Sequence, residues 1–406
     1  MQDTDLYAQI LGITFPWKVD NVEFMKAEGE IHVFVSLDRS GYRCVECGAV
    51  SPGYDTRHRS WRHLDSCQYK TIIEADVPRI KCKEHGVHEV KVPWAAPGSR
   101  FTLMFERLVI DLLQEIKCIS TVAARANLTW DEVDGVMQRA VARGMERRRK
   151  KQVFRIGLDE TAVKRGHEYF TLVHDKDSKD ILYVGEDRTN ETVEAFYEEW
   201  DGYLRKVSSV SMDLWKPFIE GARRHVEFAD GKICFDKFHI MSFFNKAVDE
   251  VRKKENAMLL KEGNDLLKGT KYDWLRNAKN VDGRSRQWFC ELTRKGLKTA
   301  RAWAIKEMAG RLWDYVSPTC AEKAWRKLLG WMSRSRLEPM KELVKTIKTH
   351  FYGIMNAIRL KADNADAESL NTKIQKIKNF SCGFRNKERF KNAIYFYLGG
   401  LDLYPA

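Results

Sequence analysis

No stretch of the 406 residues approaches the ~18 consecutive apolar residues that a membrane-spanning helix requires. The opening segment, MQDTDLYAQILGITF, is acidic and has neither the basic flank nor the small-residue cleavage site of a secretory leader. Cysteine is sparse: nine in the whole chain, an odd number and widely dispersed, unlike the dense framework of a disulfide-stapled secreted domain. The expectation is a reduced, cytoplasmic protein whose thiols can serve a metal. Negative charge is the minority sign, with 57 acids against 70 lysines and arginines, a net +13. That balance points to a polyanionic partner, nucleic acid ahead of a membrane surface. With 44% hydrophobic residues the chain is globular and long enough for two or three domains.

Residues 20–98 read as short strands and turns. Within them, Cys44-x2-Cys47 and Cys82-x2-His85 have the spacing of two knuckles. Each tight turn presents two ligands, and Zn²⁺ accepts a Cys₃His set in tetrahedral geometry. Gly48 and Gly86 follow the two pairs, where tight turns need a residue tolerant of positive φ. A hairpin between the pairs must bring them together, and Cys67 and His88 stand as substitute ligands.

From Phe101 the apolar period becomes helical. Phe105, Leu108, Val109, Leu112, Leu113 and Ile116 form one stripe. After STVAARAN, Thr129 and Glu132 form a capping box that opens a short helix with Val133, Val136, Met137, Ala140 and Val141 inward. Two short helices joined at 126–128 behind a longer one read as a helix-turn-helix, whose last helix can enter a DNA major groove. Its polar face includes Trp130, Asp131, Asp134, Gln138 and Arg139. The basic run that follows, Arg143, Arg147, Arg148, Arg149, Lys150 and Lys151, suits phosphate contacts and marks a domain boundary. Trp130, Gln138, Arg139 and this run are the expected DNA-binding residues.

The second half begins with VFRIGLDE, YFTLVHD and ILYVGED, three strands. A helix from about Glu191 to Arg205 follows, then the strand VSSVSMD, a helix from Lys216 to Val226, and the strand-to-helix segment KICFDKFHI. Three strands, helix, strand, helix, strand is the order of a ribonuclease-H-like α/β domain. Strand alternation lets only one of Asp159 and Glu160 face a site. Asp213 ends the fourth strand and Asp236 the fifth, with His239 three residues on. Two Mg²⁺ or Mn²⁺ ions need a further carboxylate, and Glu368 supplies it. Glu368, Asn371, Gln375 and Lys378 share a polar helical face, with Leu370, Ile374 and Ile377 on the apolar one. Between His239 and Glu368 the chain reads as helical, with six irregularly spaced tryptophans, mostly core. The domains expected are therefore 1–98 (zinc module), 99–150 (helix-turn-helix and basic linker), 151–244 and 361–406 (the two parts of the acidic α/β core) and 245–360 (helical insertion).

In order, IGLDETA, SMDLWKPF, FDKFHI and AESLNTKIQKIK followed by GFRN resemble the insertion-sequence transposases of the ISL3 family, over nearly the whole chain. The resemblance implies an acidic triad of Asp159, Asp213 and Glu368, with Asp236 and His239 as a supporting pair. The second knuckle departs from many relatives in ending with His85 rather than Cys. The implied reaction cuts a phosphodiester at an element end, freeing a 3′-hydroxyl that then attacks target DNA, with two divalent ions at the triad. Lys373 or Lys378 would neutralise the scissile phosphate. The N-terminal modules would read the terminal inverted repeats, and a homodimer would assemble on double-stranded DNA at the bacterial nucleoid. Two alternatives use the same residues: a catalytically inactive DNA-binding regulator, and a metal-dependent nuclease that never joins strands.

Overall fold

The structure, a computed structural model, describes residues 2–38, 42–163, 168–280, 283–362, 365–381 and 383–405, with the backbone alone for 283–286 and 365–368. The chain forms two compact units. One comprises Met1–Arg148, Ile377–Tyr397 and Leu401–Ala406; the other comprises Arg149–Lys376 and Leu398–Gly400.

The first unit opens with α1 (Asp3–Leu11), β1 (Trp17–Met25), β2 (Glu30–Leu37), β3 (Tyr42–Arg43), β4 (Val50–Ser51), β5 (Gly53–Arg62), β6 (Lys70–Cys82) and β7 (Gly86–Glu89). The main sheet runs β1-β2-β6-β5, with β7 paired to β6. Period-two alternation places Val33, Val35, Ile73, Ala75 and Val77 on the buried face. Trp94 seals that core edge-on, with ring centroids 4.8 Å from Trp17 and 5.4 Å from Trp61, the geometry that aromatic quadrupoles favour. β5 and β6 form the antiparallel hairpin required between the two Cys-containing turns.

Three helices follow: α2 (Leu103–Ile116), α3 (Ile119–Ala126) and α4 (Trp130–Arg147). Thr102 caps α2 by accepting from the Phe105 amide, and Asn127 takes the left-handed conformation, φ 52°, that ends α3. The Thr129–Glu132 capping box is present in both directions. Two expectations change here. Ile110 is buried in the α2 stripe while Leu108 is exposed. α4 is an 18-residue helix, so Arg143 and Arg147 belong to its last turns rather than to a linker.

The second unit contains β8 (Arg155–Ala162), β9 (Tyr169–Asp175), β10 (Ile181–Glu186), α5 (Asn190–Trp200), β11 (Ser209–Met212), α6 (Lys216–His225) and β12 (Ile233–Phe235). These are the elements expected, in the order expected. The sheet order is β10-β9-β8-β11-β12, antiparallel across β10, β9 and β8 and parallel across β8, β11 and β12. The chain continues with α7 (Lys237–Lys261), α8 (Lys271–Leu275), α9 (Gly283–Arg294), α10 (Lys298–Leu312), α11 (Pro318–Arg334), α12 (Glu338–Thr349), α13 (Phe351–Arg359) and α14 (Ala365–Phe380), before α15 (Lys387–Leu398).

The helical stretch is no separate lobe. Phe235 and Val210 of the sheet share one continuous core with Trp325, Leu328 and Ile354 of the helices. α13 packs so closely on β12 that a Cβ on Gly353 would stand 2.3 Å from the Phe235 ring. The chain's C-terminal part also departs from expectation, because 377–397 belongs to the first unit. There the Tyr397 hydroxyl donates to the Leu113 carbonyl and Arg389 pairs with Asp131 and Asp134.

Candidate functional site

Two clusters offer chemistry. In the first unit, the β3–β4 turn carries Cys44 and Cys47, and the β6–β7 turn carries Cys82 and His85. Gly48 and Gly86 adopt φ 72° and 76°, conformations that suit glycine. The four ligand atoms lie within 4.8 Å of one another. Cys47 Sγ stands 3.7 Å from Cys82 Sγ, and His85 Nδ1 is 3.7 Å from Cys82 Sγ and 3.9 Å from Cys44 Sγ. A Zn–S bond of about 2.3 Å gives a tetrahedron edge near 3.8 Å, so the cage has the size of the ion. Amide and imidazole donors of His85, together with the Glu84 amide, lower the Cys82 thiol to about 6, which favours the thiolate that binds metal. The substitutes stand aside: Cys67 is exposed, and His88 Nε2 contacts the His85 carbonyl.

The second cluster arises from strand register. Leu158 pairs with Met212, and Met212 with Phe235. One residue further on, Asp159, Asp213 and Asp236 emerge at the same level of three adjacent parallel strands. Asp159 is 7% exposed. Burial, and then the charges of Asp213 and Asp236, raise its carboxyl to about 7, although the Glu160 amide and Asn371 pull the other way. Its Oδ1 accepts from the Glu160 amide at 2.7 Å, and its Oδ2 from Asn371 Nδ2 at 2.7 Å. His239 Nδ1 lies 3.4 Å from Asp213 Oδ2, and that contact raises the imidazole pKa. Asp236 caps α7 by accepting from the Phe238 amide at 3.0 Å. Among the described residues these acids do not close to the 4.8 Å spacing of the thiol cluster. The side chain of Glu368 lies outside the described residues.

The matches to known proteins follow this division. The family model for ISL3 transposases, described as "Transposase", matches residues 156–394. The chain belongs to the ISL3 family of transposases. The family's helix-turn-helix domain matches residues 90–141. The zinc finger of transposases IS204, IS1001, IS1096 and IS1165 matches 41–85. Relatives include the transposase of insertion sequence element IS1001 from Bordetella parapertussis, 23% identical, covering 92% of this chain and 93% of that protein. Transposases of IS1557 from two Mycobacterium tuberculosis strains are 26% identical, covering 96% of this chain and 94% of those proteins. The ISL3 zinc ribbon and its Cys₃His cluster support a structural zinc, and the helix-turn-helix and transposase domains point to DNA as the partner. No helix among the described residues is long and apolar enough to cross a membrane.

Several residues of this ISL3 transposase read as DNA contacts are already engaged within the protein. Arg139 and Arg143 pair with Glu106, which is fully buried, at 2.6 and 3.4 Å. Asp134, expected on the polar face, is buried and meets Gln138 at 2.7 Å and Arg389 at 3.1 Å. The Arg389 guanidinium lies over Trp130, 4.6 Å from the ring centroid. Arg147 bonds Asp402 and the Tyr404 carbonyl, while Lys150 bonds the backbone and carboxylate of Glu199. Arg149 and Lys151 are exposed and Arg148 is partly buried. On α14, Lys373 is exposed, and Lys378 lies beyond Lys376 in the first unit.

Sequence reading missed two features. One is the Glu106 ion cluster, whose only signal was an acid at a position flanking the α2 stripe. The other joins Glu160, Arg188, Tyr169 and Trp215 beside the acids: Arg188 Nη1 lies 3.1 and 3.0 Å from the Glu160 carboxylate oxygens. A further group of ligand type, Glu28, Glu30 and His32, lies at the β1–β2 turn. There His32 hydrogen-bonds Glu74 at 2.5 Å and Glu30 at 3.2 Å.

Proposed function

We propose that this ISL3 transposase binds the terminal inverted repeats of an insertion sequence and catalyses DNA cleavage and strand transfer at a ribonuclease-H-like acid cluster. Asp159, Asp213 and Glu368 are its catalytic acids, and Asp236, His239 and Asn371 support them. The observation carrying this reading is the register that brings Asp159 and Asp213 level at the ends of adjacent parallel strands. Carboxylate and amide oxygens are the donors Mg²⁺ or Mn²⁺ prefers. Among the described residues Asn371 Oδ1 is buried without a hydrogen-bond partner, and burial, then the charges of Asp213 and Asp236, raises the Asp159 carboxyl, a cost that a bound cation offsets. These residues fit the divalent ions the family implies.

When bound, two divalent ions supply Lewis-acid polarisation of the phosphodiester and activation of water. The protein's own residues prepare that site. Asn371 fixes the Asp159 carboxylate through Oδ2. His239 Nδ1, 3.4 Å from Asp213 Oδ2, orients that carboxylate. Lys373, on the same helix as Asn371, neutralises phosphate charge. Water first cleaves the element-end phosphodiester and leaves a 3′-hydroxyl. That hydroxyl then attacks a target phosphodiester and displaces another 3′-oxygen, so the number of bonds is conserved and no nucleotide cofactor is consumed.

The zinc ribbon and α4 read the ends, with Arg148, Arg149 and Lys151 on the backbone. A homodimer pairs two ends in one complex, in the cytoplasm at the nucleoid. Incubating the full chain with duplexes carrying the element's ends and Mg²⁺ or Mn²⁺ tests the reading. Joined product, absent in Asp159→Asn and Asp213→Asn, supports it. Nicks without joining indicate a nuclease, and a mobility shift alone indicates a regulator.

A further inference from the structure

Asp159, Asp213 and Asp236 share one edge of the sheet, and Glu160 beside it is close enough to act on His239. Such a cluster repels a phosphodiester unless fixed positive charge stands beside it. Arg188, just before α5, is held there from three directions. Its guanidinium carbon lies 4.5 Å from the centroid of the Tyr169 ring and 4.5 Å from that of Trp215, and its Nη1 engages both oxygens of Glu160. Trp215 is in turn fixed: its indole N–H donates to the Arg188 carbonyl at 3.2 Å and its amide to the Asp213 carbonyl at 2.8 Å. The clasp therefore ties Arg188 to β8, which carries Asp159 and Glu160, to β9 through Tyr169, and to the loop that carries Asp213 through Trp215.

A guanidinium has five donors in a planar fork. Glu160 occupies one nitrogen. Among the described residues, Nε and Nη2 of Arg188 have no hydrogen-bond partner, and the side chain is 35% exposed. A cation packed against two aromatic rings and paired at one nitrogen loses little freedom on binding. Its open edge suits the two oxygens of a phosphate, which a lysine cannot engage in the same way.

We propose that Arg188 is a DNA-phosphate ligand beside the acid cluster, presented by the clasp of Tyr169, Trp215 and Glu160. This rests on the DNA-processing reading above, and it adds a contact to the strand held at the acids.

The test measures binding of the full chain to a fluorescein-labelled random-sequence duplex, by anisotropy across a NaCl series without added divalent cation. Wild type, Arg188→Gln, Arg188→Lys and Asp159→Asn are compared. Loss of one phosphate contact lowers the slope of log K against log salt by about 0.9. Arg188→Gln is expected to show that decrease with about tenfold weaker binding. Arg188→Lys is expected to keep the slope and bind roughly threefold more weakly, since charge survives and the fork does not. Asp159→Asn binds at least as tightly as wild type. Wild-type affinity and slope in Arg188→Gln overturn the proposal. So does a loss confined to Mn²⁺ affinity or melting temperature, which marks a clasp that only positions the Asp213 loop. If Arg188→Gln fails to fold, Arg188→Lys decides: wild-type affinity there overturns the proposal. A wild-type protein that never cuts end DNA contradicts the catalytic reading but leaves the salt-slope result standing.

Discussion

The thiol cluster and the acid cluster are assembled by opposite routes. Two short turns deliver Cys44, Cys47, Cys82 and His85 to edges of 3.7–3.9 Å, already the dimensions of one ion. The acids come from strand ends that the sheet register aligns, where burial, and then the charges of Asp213 and Asp236, raises Asp159 to about 7. A structural site is set by its turns and closes on its metal. In the function proposed above, the acid cluster instead keeps its charges apart and open, as exchange of ions and entry of DNA would require.

The sharpest way to break this contrast is to neutralise one member of each. Asp159→Asn or Asp213→Asn is expected to lower strand cleavage by about a thousandfold or more, of order 4 kcal/mol in barrier. Duplex binding in a mobility-shift assay should persist. Cys82→Ser should do the reverse: zinc is lost from the purified protein, the N-terminal unit becomes protease-sensitive, and end recognition fails with it. Undiminished zinc in that variant means the ligand set is wrong.

A buried ion cluster without metal supplies the intermediate case. Glu106→Gln leaves Arg139 and Arg143 facing a neutral partner in a site with no solvent access to that acid. The expected cost is about 3 kcal/mol of unfolding free energy, readable by denaturant melts. Unchanged stability would return both arginines to the role of DNA contacts.

The smallest effect has the opposite sign. The folded-state pKa of Asp159 exceeds its unfolded value, so its ionisation costs stability as pH rises from about 4 through about 7. Asp159→Asn is therefore expected to raise the metal-free melting temperature at pH 8, by roughly 3–6 °C for a relief of 1–2 kcal/mol. It should have little effect at pH 4, where both forms are neutral. Equal melting temperatures at pH 8 would mean that the acids do not strain the apo fold.

What the sequence made legible was whatever local spacing encodes. The two knuckles, the capping box at Thr129 and the alternation of β2 and β6 all follow from neighbours within a few residues. The succession of strands and helices in the second unit is legible as well, with Asp159 and Asp213 near the ends of their strands; the order of those strands in the sheet is not. Long-range pairings are hidden. Nothing near Glu106 announces that Arg139 and Arg143 will fold onto it, so two arginines that read as DNA contacts are engaged internally. Likewise Arg389 reaches Asp134 from the far end of the chain, a pairing that draws the C-terminal helix to the helix-turn-helix rather than to the acidic core. Arg188 carries no motif; its clasp is visible only where Tyr169, Trp215 and Glu160 converge on it.

Iron-directed self-cleavage tests the central claim most directly. Fe²⁺ replaces Mg²⁺ at oxygen-ligand sites, and ascorbate with peroxide then cuts the backbone beside the bound ion. The account predicts fragments ending near residues 159, 213 and 368, suppressed by excess Mg²⁺ and lost in Asp213→Asn. Cuts confined to other acidic surfaces, such as the Glu28–His32 turn, with none near Asp159 or Asp213, would contradict it.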